Sequence, residues 1–423
     1  MTRRPLAVLT LALAGAVAHG APAAERWSVL ESDAAAGGAV ALARDGRVLS
    51  AGVACDEERC TTPLATRAPG EAFRAAGEVR GLTVAYAPLR DGGALLVTTP
   101  PERRGLTATD VTTTGSVVRS TVLMRRFARD AMAASDRDGR RAVAWLTTRL
   151  PQRLQLRSRE RDGTPFGRAR TLATFAREGG FGGGAVAVGP AGEIAVVWAS
   201  GGSLLARVRE PGARRFGPLL RAGRSDRVAK VAAVFTSRGR LVTVWSSADG
   251  GEEQNRTALV RVAARAPAAM RFTPALKLGA GAAREPLVFA RGTTVRAVAA
   301  GSTAMVAWTT ASLRTRIAAV TAAGAVTGAR TIDANGVLVD AAGSPSRRVL
   351  VAWTHDPLGA GASAQAVIST PGGRFGPGEP VGPAGSWATG AALDRAGTRA
   401  LVTWVAGDPV IAPRWGLAER GLP

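Results

Sequence analysis

The sequence predicts an all-β protein, a single β-propeller of four-stranded antiparallel blades, eight in number with seven as the alternative. Three observations predict it. Six apolar segments recur almost unchanged: RAVAWLTT (141–148), EIAVVWAS (193–200), RLVTVWSS (240–247), TAMVAWTT (303–310), RVLVAWTH (348–355) and RALVTWVA (399–406). Their tryptophans, Trp145, Trp198, Trp245, Trp308, Trp353 and Trp404, lie 53, 47, 63, 45 and 51 residues apart. A period near fifty is that of one supersecondary unit repeated. Between these segments run short strands and glycine turns with no helical periodicity.

The strand patterns favour blades over sandwiches. Runs such as VLVAW (349–353) and LVTVW (241–245) are continuously apolar, as expected of sheets covered on both faces. Blades stacked about an axis meet that condition while staying antiparallel. The preceding strands, AVAL (39–42), AVAV (185–188) and AAL (391–393), are small and alternating, which suits the crowded region near the axis. The tryptophans fill the widening wedge between blades.

Taken in order, residues 1–23 read as an export leader. Arg3 and Arg4 precede an apolar stretch at 5–18, too short to span a bilayer comfortably, and Ala21-Pro22-Ala23 fits a small-residue cleavage site. The mature chain, 24–423, forms one propeller whose units fall near 35–78, 79–125, 126–176, 177–225, 226–281, 282–335, 336–385 and 386–423. In the first two units Gly52 and Thr98 take the tryptophan position. First and second strands are joined by Asp45-Gly46, Asp91-Gly92 and Asp138-Gly139 in three units, which predicts two-residue hairpins. Phe166-Gly167, Phe216-Gly217 and Phe375-Gly376 recur as a fourth-strand signature, with Phe272 in a degenerate copy. The last unit is one strand short. The apolar stretch at 26–32 is expected to complete it, sealing the ring and hiding its open edge.

The formal net charge is +23 at pH 7, and losing Arg3 and Arg4 with the leader lowers it by two. Nearly all the positive charge is arginine; Lys230 and Lys277 are the lysines. Such a field attracts polyanions. The arginines are spread over every repeat with no basic run or basic–aromatic stripe, so the expectation is a diffusely basic surface without a specific nucleic-acid site.

The catalytic inventory is poor. The mature chain has one histidine, His355, and one tyrosine, Tyr86, and the latter is expected to pack in the core. One histidine and two nearby cysteines cannot build a zinc site. No G-x-S-x-G elbow presents a serine to His355, and no phosphate loop or calcium loop appears. No catalytic residue, metal site or cofactor is therefore assigned. Cys55 and Cys60 are expected to close a short loop as a disulfide in an oxidising compartment.

The loops between second and third strands vary in length over a constant scaffold, as binding faces of repeat proteins do. They are expected to share a face with the links between blades. That face carries the candidate ligand residues Asp56, Glu57, Arg149, Arg153, Asp249, Glu252, Glu253, His355 and Asp356.

With its Val-Ala-Trp strands and Arg-Phe-Gly segments, the chain resembles exported β-propeller repeat proteins of high-GC actinobacteria. The likeness covers 126–423 well and 35–125 poorly. It implies a fold and an extracytoplasmic address. The Trp-Asp pairs of WD repeats and the Ser-x-Asp-x-Gly-x-Thr-Trp boxes of sialidases are absent. The expected function is a non-enzymatic extracytoplasmic binding or scaffold propeller, monomeric and without a membrane span once the leader is removed. Its partner would be an anionic envelope polymer, a glycan or a protein. The alternatives are a carboxylate-dependent glycan hydrolase or lyase, and a structural surface protein held by charge to anionic wall polymers.

Overall fold

The computed structural model describes residues 27–32, 39–52, 54–55, 60–100, 104–136, 138–224, 228–248, 258–280, 295–310, 312–357, 359, 361–407 and 414–422. Their regular structure is entirely β. The described strands form eight antiparallel units in chain order, each running from an innermost first strand to an outer fourth strand, with a short extra strand, Ala54–Cys55, in blade one. The innermost strands touch their successors all the way round, and that of the eighth unit meets that of the first. The molecule is an eight-bladed β-propeller.

Blade four shows the unit. Gly184–Val188, Ile194–Ser200, Ser203–Arg209 and Leu220–Arg224 pair in sequence. Blade eight is built from Ser386–Leu393, Arg399–Ala406 and Arg414–Gly421, and Ser28–Ser32 adds to it as the outer strand. Ser28 stands opposite Glu419 and Ser32 opposite Trp415, so the chain's two ends close the ring as the sequence predicts.

Two details differ from expectation. Blades two and three share one strand, Val117–Ser135. Its first part pairs with Arg104–Val111 of blade two, and from Ala128 it pairs with Arg141–Thr147 of blade three. The boundary expected at 125/126 is thus a change of partner inside a strand. The Asp-Gly turns are also not two-residue hairpins. Gly46 N–H donates to Ala43 O at 3.0 Å and Ala43 N–H to Arg47 O at 2.8 Å, and of the turn residues only Gly46, at φ +84°, is left-handed. This is a three-residue connection, a tight turn closed by a glycine bulge. Similarly, the Phe-Gly pairs precede the outer strands. Gly167 and Gly217 N–H bond to third-strand carbonyls at 2.8 Å, which anchors the third-to-fourth connection and sends Phe166 into the interface.

Packing explains the recurrent tryptophan. Side chains alternate across each second strand, so every blade has two unlike faces. In blade four Ile194, Val196 and Trp198 join Ala142, Leu146 and Leu154 of blade three. Ala195, Val197 and Ala199 turn the other way and receive Trp245 of blade five. The rule repeats: Trp145 packs on blade two, Trp308 on blade five, Trp353 on blade six and Trp404 on blade seven. All six indoles are at most 1% exposed. Gly223 on blade four leaves room for Trp245; a Cβ there would lie 2.8 Å from its ring. The Trp245 indole N–H also donates to Arg224 O of the same outer strand at 3.1 Å.

A second repeated contact ties blades together. Arginines ending third strands reach back to a carboxylate on the preceding blade. Arg67 of blade one meets Glu419 of blade eight at 2.7 Å, and Arg209 of blade four meets Glu160 of blade three at 2.6 Å. Arg159 pairs with Asp110 and Arg265 with Glu210 in the same manner. Arg67, Arg159, Arg209 and Arg265 are buried, as is Arg141, whose guanidinium also lies on Asp110. The expected diffusely basic surface is therefore only part of the charge story, because several arginines are interior struts between blades.

Replacing Trp198 by alanine removes an indole from a filled interface, and a loss of about 3–5 kcal/mol is expected in urea unfolding. The Arg209–Glu160 pair gives a pH test. Burial pushes the Glu160 carboxyl up, but the Arg209 hydrogen bond and charge outweigh it, holding the pKa below the usual value. A depressed folded pKa gives stability that is complete above the unfolded value near ~4.3 and lost as pH falls through the folded one. Between about pH 5 and 3 the wild type should lose slightly more stability than Glu160→Gln in paired urea titrations; the difference is small because the Glu160 side chain is 58% exposed.

Candidate binding site at the axial mouth

The links between blades and the second-to-third loops emerge on one face. Asp356 N–H, following a second strand of blade seven, donates to Asn335 O in the link from blade six at 2.8 Å. In blade four, Gly182 N–H of the incoming link donates to Ala199 O at 3.0 Å. This is the face the sequence reading selects for ligand binding.

Of the predicted residues there, Asp56, Glu57, Asp249, Glu252 and Glu253 lie outside the described residues. Arg149 is exposed on the blade-three loop, and Arg153 is exposed at the start of the third strand that follows, Gln152–Arg159. His355 and Asp356 come together with two residues the sequence reading passed over. His355 Nδ1 is 2.8 Å from Asp333 Oδ2, the oxygen that also accepts from the Trp353 indole N–H, and Asn335 Nδ2 donates to Asp356 Oδ1 at 3.0 Å. Asp333 ends the outer strand of blade six, so this cluster staples the link between blades to the next second strand. The structure does not bring it together with Arg149 or Arg153. Cys55 stands opposite Cys60 in a short antiparallel pairing, and Cys60 is disulfide-bonded.

The chemistry-bearing side chains gather instead on the innermost strands. A cavity of about 360 Å³ opens at the axis between blades two to five, lined among others by Val84, Asp130, Met132, Gly184 and Lys230. Asp130 has φ +52°, an uncommon conformation for a residue other than glycine, inside a register shift between Arg129 and Met132. Lys230 follows a second shift, between Val228 and Lys230. Bulges of this kind re-aim side chains, and they are enriched beside functional sites. The mouth is thus built where regular pairing is broken. Arg129 Nε lies 3.5 Å from Asp130, and both side chains remain about half exposed.

Across the axis a third bulged strand, shifted between Leu338 and Asp340, presents Asp340 of blade seven. Its carboxylate takes Arg296 Nε of blade six at 3.1 Å and Ala391 N–H of blade eight at 3.2 Å. Tyr86 of blade two reaches it as well. The negative charge of Asp340 and then burial raise the phenol pKa far above its ordinary value, Arg296 opposing them and a hydrogen bond to Asp340 adding to them. The expectation for Tyr86 is half met. Its ring packs beside Leu96 and Val111, but its hydroxyl belongs to the axial polar cluster. No group of three or more His, Cys, Asp or Glu placed to hold a metal ion occurs among the described residues.

No protein-family model matches the chain, and no curated protein matches it. Solved structures do. A lectin, BP39L, from Burkholderia pseudomallei aligns with a TM-score of 0.57 at 13% identity, over 83% of this chain and 99% of its own. The Dos1 propeller aligns with a TM-score of 0.58 at 8% identity, over 93% of this chain and 95% of its own. These likenesses show the β-propeller fold.

Replacing Asp333 by alanine strands the buried Trp353 N–H. A loss of about 1–3 kcal/mol is expected in thermal or urea unfolding.

Proposed function

We propose that the chain is a non-enzymatic binding propeller acting outside the cytoplasmic membrane, with its ligand site at the axial mouth on the link-bearing face. One observation carries this reading. β-Bulges on separate innermost strands aim Asp130 and Lys230 at a cavity of about 360 Å³, a volume suited to a small ligand or one residue of a polymer. Opposite charges across a small cavity favour a ligand bearing hydroxyl or amino groups beside an anionic group, such as an acidic glycan unit. The fold likeness to a lectin accords with a glycan ligand. The leader and the actinobacterial resemblance support the extracytoplasmic address and kinship with exported propellers.

The test uses the mature chain on an acidic-glycan array and on immobilised envelope polysaccharide. Wild type is expected to bind, and Asp130→Asn with Lys230→Ala to weaken binding at least about tenfold without changing the melting temperature. Equal binding by the double variant would move the site elsewhere; no binding at all would remove the glycan class.

One observation favours a second reading, a carboxylate-dependent glycan hydrolase or lyase. Asp340, Arg296 and Tyr86 from three blades meet at the axis, and Asp130 adds another carboxylate. Paired carboxylates are what glycoside hydrolysis requires. Release of reducing ends from acidic polysaccharide, abolished by Asp340→Asn, would establish it; its lack across such substrates would discard it.

A further inference from the structure

The seam where blade eight meets blade one is one of the two without a recurrent tryptophan, because Gly52 holds that position in blade one and Thr98 in blade two. Its apolar cluster is small, with Leu42, Val48, Leu401 and Leu417 at its centre. Ser50 is fully buried there with its hydroxyl unpartnered. In place of an indole the seam has charge. Glu419 of blade eight takes Arg67 of blade one at 2.7 Å and Arg399 of its own blade at 3.4 Å. Two guanidiniums thus share the Glu419 carboxylate, while the buried Asp394 carboxylate accepts the backbone N–H of Arg399 at 2.9 Å. Arg67 is almost completely buried, with 4% of its side chain exposed, whereas Arg399 is 36% exposed.

A cavity of about 670 Å³ opens at this point. Its wall includes Arg399 and Glu419 of blade eight, Gly70 of blade one and Ser28 of the closing N-terminal strand. Thr398 and Pro69 belong to a first-to-second turn and a third-to-fourth loop, so the cavity lies on the face opposite the axial mouth. Its surroundings are polar, and the more exposed of the two guanidiniums, Arg399, lines it with the planar donor fork that matches an oxyanion.

We infer that this seam cavity is an anion site for a phosphate-type oxyanion, held by Arg399 and spanning blade eight, blade one and the N-terminal strand. The anion engages the donors of Arg399 that its 3.4 Å contact with Glu419 leaves free. Because its contacts come from both sides of the closure, it binds the closed ring and not the opened one. Linkage then makes the ring more stable as the anion saturates. The site is independent of the axial mouth.

The experiment is thermal unfolding of the mature chain in orthophosphate, with ionic strength held constant by potassium chloride. Wild type is expected to show a saturable rise in melting temperature. Arg399→Gln should remove the saturable rise. Glu419→Gln, which removes the competing carboxylate, should melt lower without phosphate yet need about tenfold less of it for half-saturation. Lys230→Ala should leave the phosphate response intact, which separates this site from the axial one. Linear polyphosphate in a parallel arm distinguishes a polymer-borne phosphate, which would saturate at lower phosphate concentration, from the free ion. A rise that is equal in wild type and Arg399→Gln, or no saturable rise in wild type, overturns the proposal.

Discussion

Each blade must hide two faces, and it does so by making them unlike. Alternation along the second strand puts the indole on the side of the preceding blade and small aliphatic residues on the other side. The Ala195, Val197 and Ala199 face of blade four can receive Trp245 because it carries nothing larger than valine. If both faces were large the blades would splay; if both were small a cavity would remain, and cavities are costly. This directional fit fixes the order of stacking and turns a set of separate sheets into a ring. It also identifies the weak points. Gly52 and Thr98 replace the indole on the two sides of blade one, and on the blade-eight side closure falls to strand pairing with Ser28–Ser32 and to the Arg67–Glu419 contact.

The inter-blade arginines give the composition a structural meaning. A guanidinium taken out of water is expensive unless it is paired and hydrogen-bonded. Arg209 meets that condition with two contacts to Glu160, and Arg67 with Glu419 plus a bond from its Nε to Glu71 O at 2.7 Å. Such pairs add little net stability against an apolar alternative, but breaking one leaves an uncompensated buried charge. They penalise misregistered blades more than they reward correct ones. The arginine excess is thus divided between interior struts and an exterior field, and only the exterior share is free to attract polyanions.

What the sequence made legible was whatever repeats at a fixed position in a strand. The six tryptophans gave the repeat, the two weaker units with Gly52 and Thr98 in that position brought the count to eight, and the missing final strand gave the closure by Ser28–Ser32. The struts were legible in principle: Arg157-Ser158-Arg159-Glu160 and Arg207-Val208-Arg209-Glu210 are the same pattern one blade apart. They were missed because the spacing from tryptophan to terminal arginine changes from blade to blade. The Asp-Gly turns misled because the dipeptide favours two-residue hairpins, while here only its glycine takes a positive φ. Bulges leave no mark on a hydrophobic pattern, since they are properties of pairing. Asp130, Lys230 and Asp340 therefore read as ordinary strand residues, and Tyr86 as a core phenol, until register placed them at the axis.

The two openings ask different things of a ligand. At the axial mouth Asp130 and Lys230 stand on innermost strands braced by neighbouring blades, so their backbone positions are set by the ring. Preorganisation of that kind lowers the ordering cost of binding and favours discrimination. At the seam the walls belong to segments from opposite ends of the chain, and occupancy is coupled to whether those ends stay joined. A ligand at the proposed axial site would read a pattern of charge set by the blades; an anion at the proposed seam site would act on the scaffold that holds that pattern. Coupling between the two can run only through the ring itself, and the tryptophan interfaces of blades three to eight leave the two flanks of blade one, which lack an indole, as the places where the ring can loosen.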